Sequence, residues 1–279
     1  MRLLYLGDVI GRTGRDAVAR HLPDLRRQLD LDCVVANGEN AAGGFGITET
    51  IAKEMFAGGI DVITTGNHVW DQKELVGQID RLPNLLRPAT FPDGTPGKGH
   101  HLCPVRQGRK VLVVNLMGRV FMDAMDDPFQ AAEKALRAYR LGPGGAEAIL
   151  VDMHAEATSE KMAMGHYLDG RVSLVVGSHS HVPTADAQIL PGRTGYQTDA
   201  GMCGDYDSVI GMKKGPAVAR LTRKLPGERL SPADGEGTLC GVFCETDDKT
   251  GLALRVEPVR LGGRLLPNLP VLKMARQPA

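Results

Sequence analysis

Ser173-Leu174-Val175-Val176-Gly177-Ser178-His179-Ser180-His181 decides the fold. Its opening run of branched apolar residues is short and reads as a strand buried on both faces. The run stops at a glycine and gives way to two histidines spaced i, i+2, which core packing does not explain. Four other runs end in a similar way. Leu3–Leu6 meets Gly7-Asp8, Cys33–Ala36 meets Asn37-Gly38-Glu39-Asn40, Asp61–Thr65 meets Gly66-Asn67-His68, and Ala148–Met153 closes on Asp152-Met153-His154. Val111–Leu116 is a further strand candidate.

Helical stretches separate these strands. One is expected from about Gly14 to Leu29, with Val18, Leu22, Leu25 and Leu29 three and four apart. A second opens at Thr48-Glu49-Thr50, and a third near Asp127-Pro128, where proline suits the first turn. A fourth is expected over Thr158–Leu168. Alternating strands and helices predict an α/β sheet with helical cover. After Ala187 the pattern changes to hairpins. Pro191-Gly192 turns one, and Asp247-Asp248-Lys249-Thr250-Gly251 links Thr238–Thr246 to Leu252–Arg260 in another. Lys224–Gly237 reads as a loop. With no evident linker, residues 1–279 are expected to form a single domain with two sheets, its C-terminal third mostly β-hairpins.

Composition narrows the function. The 279 residues carry 33 basic and 33 acidic side chains, so net charge is zero, and aromatics make up only 4%. A protein that grips duplex DNA by charge needs a basic surplus, and a base-stacking platform needs aromatics. No apolar stretch is long enough for a membrane span, and the N-terminal run is shorter than a signal peptide requires. The expected location is the cytoplasm. The cysteines at 33, 103, 203, 240 and 244 are odd in number and scattered. They read as small buried hydrophobes rather than disulfides or a zinc site.

In open α/β sheets, ligands bind beyond the carboxyl ends of the strands. Five strands therefore deliver polar groups to one edge. The donors are hard oxygens (Asp8, Glu39, Asn40, Asn67) and imidazoles (His154, His179, His181), a mixture that suits Fe, Mn, Zn or Ni better than Ca or Mg alone. Each piece alone has an ordinary reading as a turn or helix start. Seven donors together are too many for one first-row ion and about right for two sharing a carboxylate, an arrangement that clamps an in-line displacement at phosphorus. Gly7, Gly38, Gly66 and Gly177 mark the strand ends where these groups emerge.

The ordered series Gly-Asp, Gly-Glu-Asn, Gly-Asn-His, a lone strand-end His and Gly-x-His-x-His resembles the calcineurin-like metallophosphoesterase superfamily. That resemblance implies a four-layer α/β/β/α sandwich of two packed mixed sheets and a dinuclear site. Three departures narrow it. Ile10 stands where the first block usually has a histidine, Glu39-Asn40 replaces a bridging aspartate, and Val69 follows His68. These departures, with Asp199-Ala200-Gly201-Met202 and Tyr206 through Lys214, are similar to the YmdB-like bacterial branch, whose members are cyclic-nucleotide phosphodiesterases.

The resemblance implies roles. Asp8, Glu39, Asn40 and His181 would hold one metal, with Asn40 in place of the missing histidine. Glu39, Asn67, His154 and His179 would hold the other, making Glu39 the bridge. His68 would bind phosphate and act as general acid, a role suited to imidazole near neutral pH. The nucleophile would be a hydroxide made available by the metals, iron first, manganese or zinc as alternatives. The expected substrate is a small phosphodiester, 2′,3′-cyclic nucleotides ahead of 3′,5′-cyclic nucleotides or RNA ends, with no duplex DNA and no membrane, in a homo-oligomer. The alternatives are a phosphomonoesterase or protein phosphatase, and a non-catalytic metal-dependent regulator that binds nucleotide or RNA.

Other residues take ordinary readings. His21 is expected on the first helix's surface and His166 in the fourth helix, while His100-His101 follows the turn-rich loop Asp93-Gly94-Thr95-Pro96-Gly97-Lys98-Gly99 and is not expected to be catalytic. Trp70 is packing or a base-stacking pocket wall. Lys213-Lys214 is a solvated pair, and Arg12 in Gly11-Arg12-Thr13-Gly14 lies close enough in sequence to Asp8 to reach substrate.

Overall fold

Strand β1 (Arg2–Leu6) sends alternate side chains to opposite cores: Leu4 and Leu6 to one, Leu3 and Tyr5 to another. That alternation is the period of an extended chain, and here both faces are covered. A computed structural model of the chain describes residues 1–223 and 227–272. The further strands are β2 (Asp8–Val9), β3 (Cys33–Asn37), β4 (Val62–Thr64), β5 (His100–Pro104), β6 (Lys110–Met117) and β7 (Ala148–His154). They continue with β8 (Leu174–Ser178), β9 (Gln188–Ile189), β10 (Gly195–Gln197), β11 (Met202–Asp205), β12 (Gly237–Thr246) and β13 (Ala253–Leu261). The helices are α1 (Gly11–Gln28), α2 (Glu49–Ala57), α3 (Pro128–Leu136), α4 (Thr158–Tyr167) and α5 (Lys214–Arg223).

Two mixed sheets result. One has seven strands in the order β2-β11-β12-β1-β3-β4, with β13 beside β12; the other has six, in the order β5-β6-β7-β8-β10-β9. Between them lie Leu3, Tyr5, Val35, Val113, Leu150, Val176 and Val242. Outside the first sheet, Val18, Leu22, Leu25 and Leu29 of the α1 region pack with Met55 of α2. Outside the second, Ala132 and Ala135 of α3 and Met164 of α4 meet Leu112, Ile149 and Val175. The layers are thus α/β/β/α, as the resemblance implies.

Local chemistry sets the helix starts. Thr48 caps α2 by accepting from the Ile51 N–H at 3.2 Å. Asp127 caps α3 from the Phe129 and Gln130 N–H groups, with Pro128 in the first turn, where it costs no hydrogen bond. The C-terminal hairpin is no appendage. β12 lies antiparallel to β1, pairing Leu3 with Cys244, so it is a central strand of the sheet that carries Asp8.

Two elements lie outside the sequence expectations. His100 and His101, just after the turn-rich loop, lie on edge strand β5, paired with Val114 and Val113. Glycine-rich flanks hide that strand, and its pairing comes from β6, which the sequence does predict. The C-terminal third also contains helix α5, of which Ala217 is buried while Val218 and Leu221 are exposed. Its weak apolar face gives little periodic signal. Within the expected loop over Lys224–Gly237, residues 224–226 lie outside the described residues, and residues 227–236 are irregular. All five cysteines are free and buried. Among the described residues, no helix is long and apolar enough to cross a membrane.

Candidate metal centre

Register explains why six of the seven expected donors, all but Asn40, come within reach of one another. β2 runs parallel to β11 with Asp8 opposite Met202, and β3 and β4 end side by side with Asn37 opposite Thr64. In the second sheet, β7 and β8 place His154 opposite Ser178. Both sheets end at the same edge, so their tails face one another.

Two clusters form there, each with ligand-competent atoms mutually within 4.8 Å: Glu39, His154 and His179, and Asp8, Glu39 and His181. Glu39 belongs to both. In the first, three acceptor-capable atoms crowd His154 Nε2: Glu39 Oε1 at 3.0 Å, Asn67 Oδ1 at 3.1 Å and His179 Nδ1 at 3.1 Å. One proton on that nitrogen can satisfy only one of them well, whereas a cation would draw in all four. In the second, His181 Nε2 lies 3.8 Å from Asp8 Oδ1, too far for a hydrogen bond. Asp8 Oδ1 and Asn40 Oδ1 are buried and meet no hydrogen-bond partner among the described residues. Buried unpaired acceptors cost free energy, and a coordinated cation removes that cost. The donor set therefore fits two cations.

The ring orientations agree. His181 Nδ1–H donates to the Ile210 carbonyl at 2.8 Å, which leaves the Nε2 lone pair facing Asp8. His154 Nδ1 lies 2.8 Å from Ser178 Oγ, which itself donates to buried Asp152 at 2.7 Å. His179 Nε2 is 3.3 Å from Glu156. Each imidazole is fixed on its far side, as metal-ligating histidines are. Gly66 shapes the floor of the cradle. A Cβ there would overlap His154 Nε2 and Glu39 Oε2. Gly7 and Gly177 answer a different need, because a side chain at either would run into a backbone carbonyl, of Gly201 and Thr198 respectively.

The electrostatics match a site built around positive charge. Burial raises the Asp8 carboxyl to about 6, against the pull of His181 and His154. Burial would raise Glu39 as well, but the charge and hydrogen bond of His154 prevail and hold it well below the usual carboxylate range. His154 is disfavoured as a cation by burial, yet Glu39, Asp8 and Asp152 lift it to about 9. Burial and the neighbouring His154 push His179 down to about 3. In the metal-free protein one imidazole thus takes the proton and its neighbour stays neutral.

His68 stands at the rim, its side chain 30% exposed. Its backbone N–H donates to Glu39 Oε2 at 3.1 Å, its Nδ1 lies 2.9 Å from Asp71 Oδ2, and Phe45 packs edge-on at 5.2 Å. Phe45 and Asp71 also line a cavity of about 700 Å³ together with Trp70, Lys73 and Arg220. Trp70 packs edge-on against Phe91. Lys213 and Lys214 form surface ion pairs with Asp234 and Asp207. Sequence reasoning missed the supporting polar groups Ser178, Asp152, Asp71 and Glu156. Asp152 and Ser178 sit in strand-end tails already suspect for function, and their partners, each other together with Thr64 and Asn37 of the facing sheet, come only from tertiary pairing.

The YmdB-like protein family model matches residues 4–259. The chain belongs to this family. A relative in Bacillus subtilis (strain 168), named 2′,3′-cyclic-nucleotide 2′-phosphodiesterase, is 46% identical over 260 residues, covering 93% of this YmdB-like chain and 96% of the relative. A crystal structure of a hypothetical protein from Thermus thermophilus superposes with a TM-score of 0.86 at 41% identity, covering 95% of this chain and 100% of that one. The structure of a novel phosphatase from Mycoplasma pneumoniae gives 0.85 at 29% identity, over 94% and 93%.

Proposed function

We propose that the protein is a metal-dependent phosphodiesterase that hydrolyses 2′,3′-cyclic nucleotides. The observation that carries the reading is Glu39, a single buried carboxylate shared by two ligand clusters at the meeting edge of both sheets. The B. subtilis relative's name supports the cyclic-nucleotide substrate and cleavage at the 2′ bond. In this reading Asp8, Glu39, Asn40 and His181 hold one cation, and Glu39, Asn67, His154 and His179 the other. Bound cations would polarise the phosphoryl group and supply a water-derived nucleophile at neutral pH.

The protein's own groups do the rest. Asp71 takes the His68 Nδ1–H, so Nε2 is the atom that carries a proton to the leaving ester oxygen. The His68 backbone N–H fixes Glu39 Oε2, tying acid and bridge into one rigid unit. Ser178 and Asp152 keep Nε2 of His154 turned inward. The whole chain acts as one domain in this reading, because β12 completes the sheet that bears Asp8. Buried free cysteines suit a reducing compartment, in line with a cytoplasmic enzyme.

The test is turnover of 2′,3′-cyclic AMP beside p-nitrophenyl phosphate and bis(p-nitrophenyl) phosphate, with Mn(II) or Fe(II) supplied. The proposal expects the diesters to be preferred and 3′-AMP as product. Preference for the monoester would make the protein a phosphomonoesterase. No turnover by fully metallated protein would favour a binding regulator.

A further inference from the structure

Beneath the two-histidine turn lies an ion pair that no step above uses. Lys161 of α4 and Asp199 are both 0% exposed, and Lys161 Nζ donates to Asp199 Oδ2 at 2.7 Å. The same oxygen accepts the N–H of Ser180 at 3.2 Å and its hydroxyl at 2.6 Å, while Lys161 also reaches Ser180 Oγ at 3.3 Å. Asp199 Oδ1 accepts the Gly201 N–H at 2.8 Å. Ser180 is the residue between the two site histidines. His179 and His181 have φ of 92° and 65°, in the left-handed region that non-glycine residues rarely occupy. Such backbone persists only where surrounding structure over-determines it. Gly177 leaves room for the lysine stem: a Cβ there would come within 2.7 Å of Lys161 Cδ.

We propose that Lys161 and Asp199 are positioning residues for the metal centre, clamping Ser180 so that His179 and His181 hold their left-handed turn. A buried pair is rarely the most stable filling of a core, since apolar groups of similar volume often do as well. Apolar groups could not hold the Ser180 N–H and hydroxyl together. The turn also reaches Asp8, whose Oδ2 accepts the His179 N–H at 3.2 Å, so loosening it disturbs both clusters. This inference rests on the dinuclear reading.

The test compares metal-stripped wild type, Lys161→Met, Lys161→Met/Asp199→Leu and Ser180→Ala by Mn(II) titration and by thermal unfolding without metal. Lys161→Met leaves Asp199 buried and uncompensated, so it should lower both stability and affinity. The double variant removes both charges. It should recover most of the unfolding temperature yet bind Mn(II) about 10- to 100-fold more weakly than wild type, the range expected when support behind a ligand is lost. Ser180→Ala should unfold like wild type and bind several-fold more weakly. Wild-type Mn(II) affinity in the double variant, or in Ser180→Ala should the double variant stay unstable, overturns the proposal. If wild type takes up no Mn(II), the dinuclear reading falls and this inference with it; wild-type uptake matched by the double variant sinks this inference alone.

Discussion

Gly66→Ala is the sharpest perturbation of the site, because it adds one methyl group and no charge. The backbone at Gly66 is not left-handed, so alanine can adopt it, and any loss comes from the Cβ alone. That Cβ would overlap Nε2 and Cδ2 of His154 and Oε2 of Glu39. Real contacts of this kind stay beyond about 3 Å, so the ring and the carboxylate must retreat by roughly 1 Å, in a core that tolerates little movement. Overpacking should cost about 1–3 kcal/mol of stability. The functional cost is larger, since a displacement of about 1 Å at reacting groups lowers rate by ~100-fold. Mn(II) affinity should fall by about 10- to 100-fold. Mn(II) titration and kcat/KM on 2′,3′-cyclic AMP measure both. Wild-type affinity and turnover in Gly66→Ala would show that His154 and Glu39 do not form a cation cradle at this position.

The same geometry sets three further outcomes. His68→Ala should lower kcat by about 100- to 10,000-fold while metal content by elemental analysis stays at the wild-type level. Binding only to the folded state at a hundredfold excess over Kd should add about 2.7 kcal/mol, so stripping the metals should lower Tm by several degrees in a thermal melt. In the metal-free protein His154 holds its proton up to about pH 9, and a bound cation must displace that proton. Apparent affinity should therefore rise as pH increases from 6 towards 9 and level off above. Titrations in buffers of different ionisation enthalpy should register the released proton at pH 7.

The sequence displayed the donor residues plainly because each ends a strand whose apolar run is self-evident. His154, His179 and His181 need no knowledge of pairing to look out of place after a buried β run. The partition of donors into two clusters depends on distances between sheets, which no local pattern encodes. The supports were still less legible. Asp199 and Lys161 are 38 positions apart and meet because α4 packs against β8 while β10, which leads into Asp199, pairs with that same strand. Strand β5 escaped for a similar reason, since an edge strand rich in histidine and flanked by glycine has no strong local signal and takes its conformation from β6. Helix α5 carries too little buried surface to announce itself, with Ala217 its buried residue.

Metal stoichiometry of the Glu39→Gln variant decides whether one carboxylate holds both cations. Glu39 touches both clusters, so the wild type should hold about two ions per chain and the variant should lose both, by elemental analysis after identical metal loading. Retention of two tightly held ions by Glu39→Gln, or a wild type fully active with a single ion, would contradict the shared-carboxylate centre.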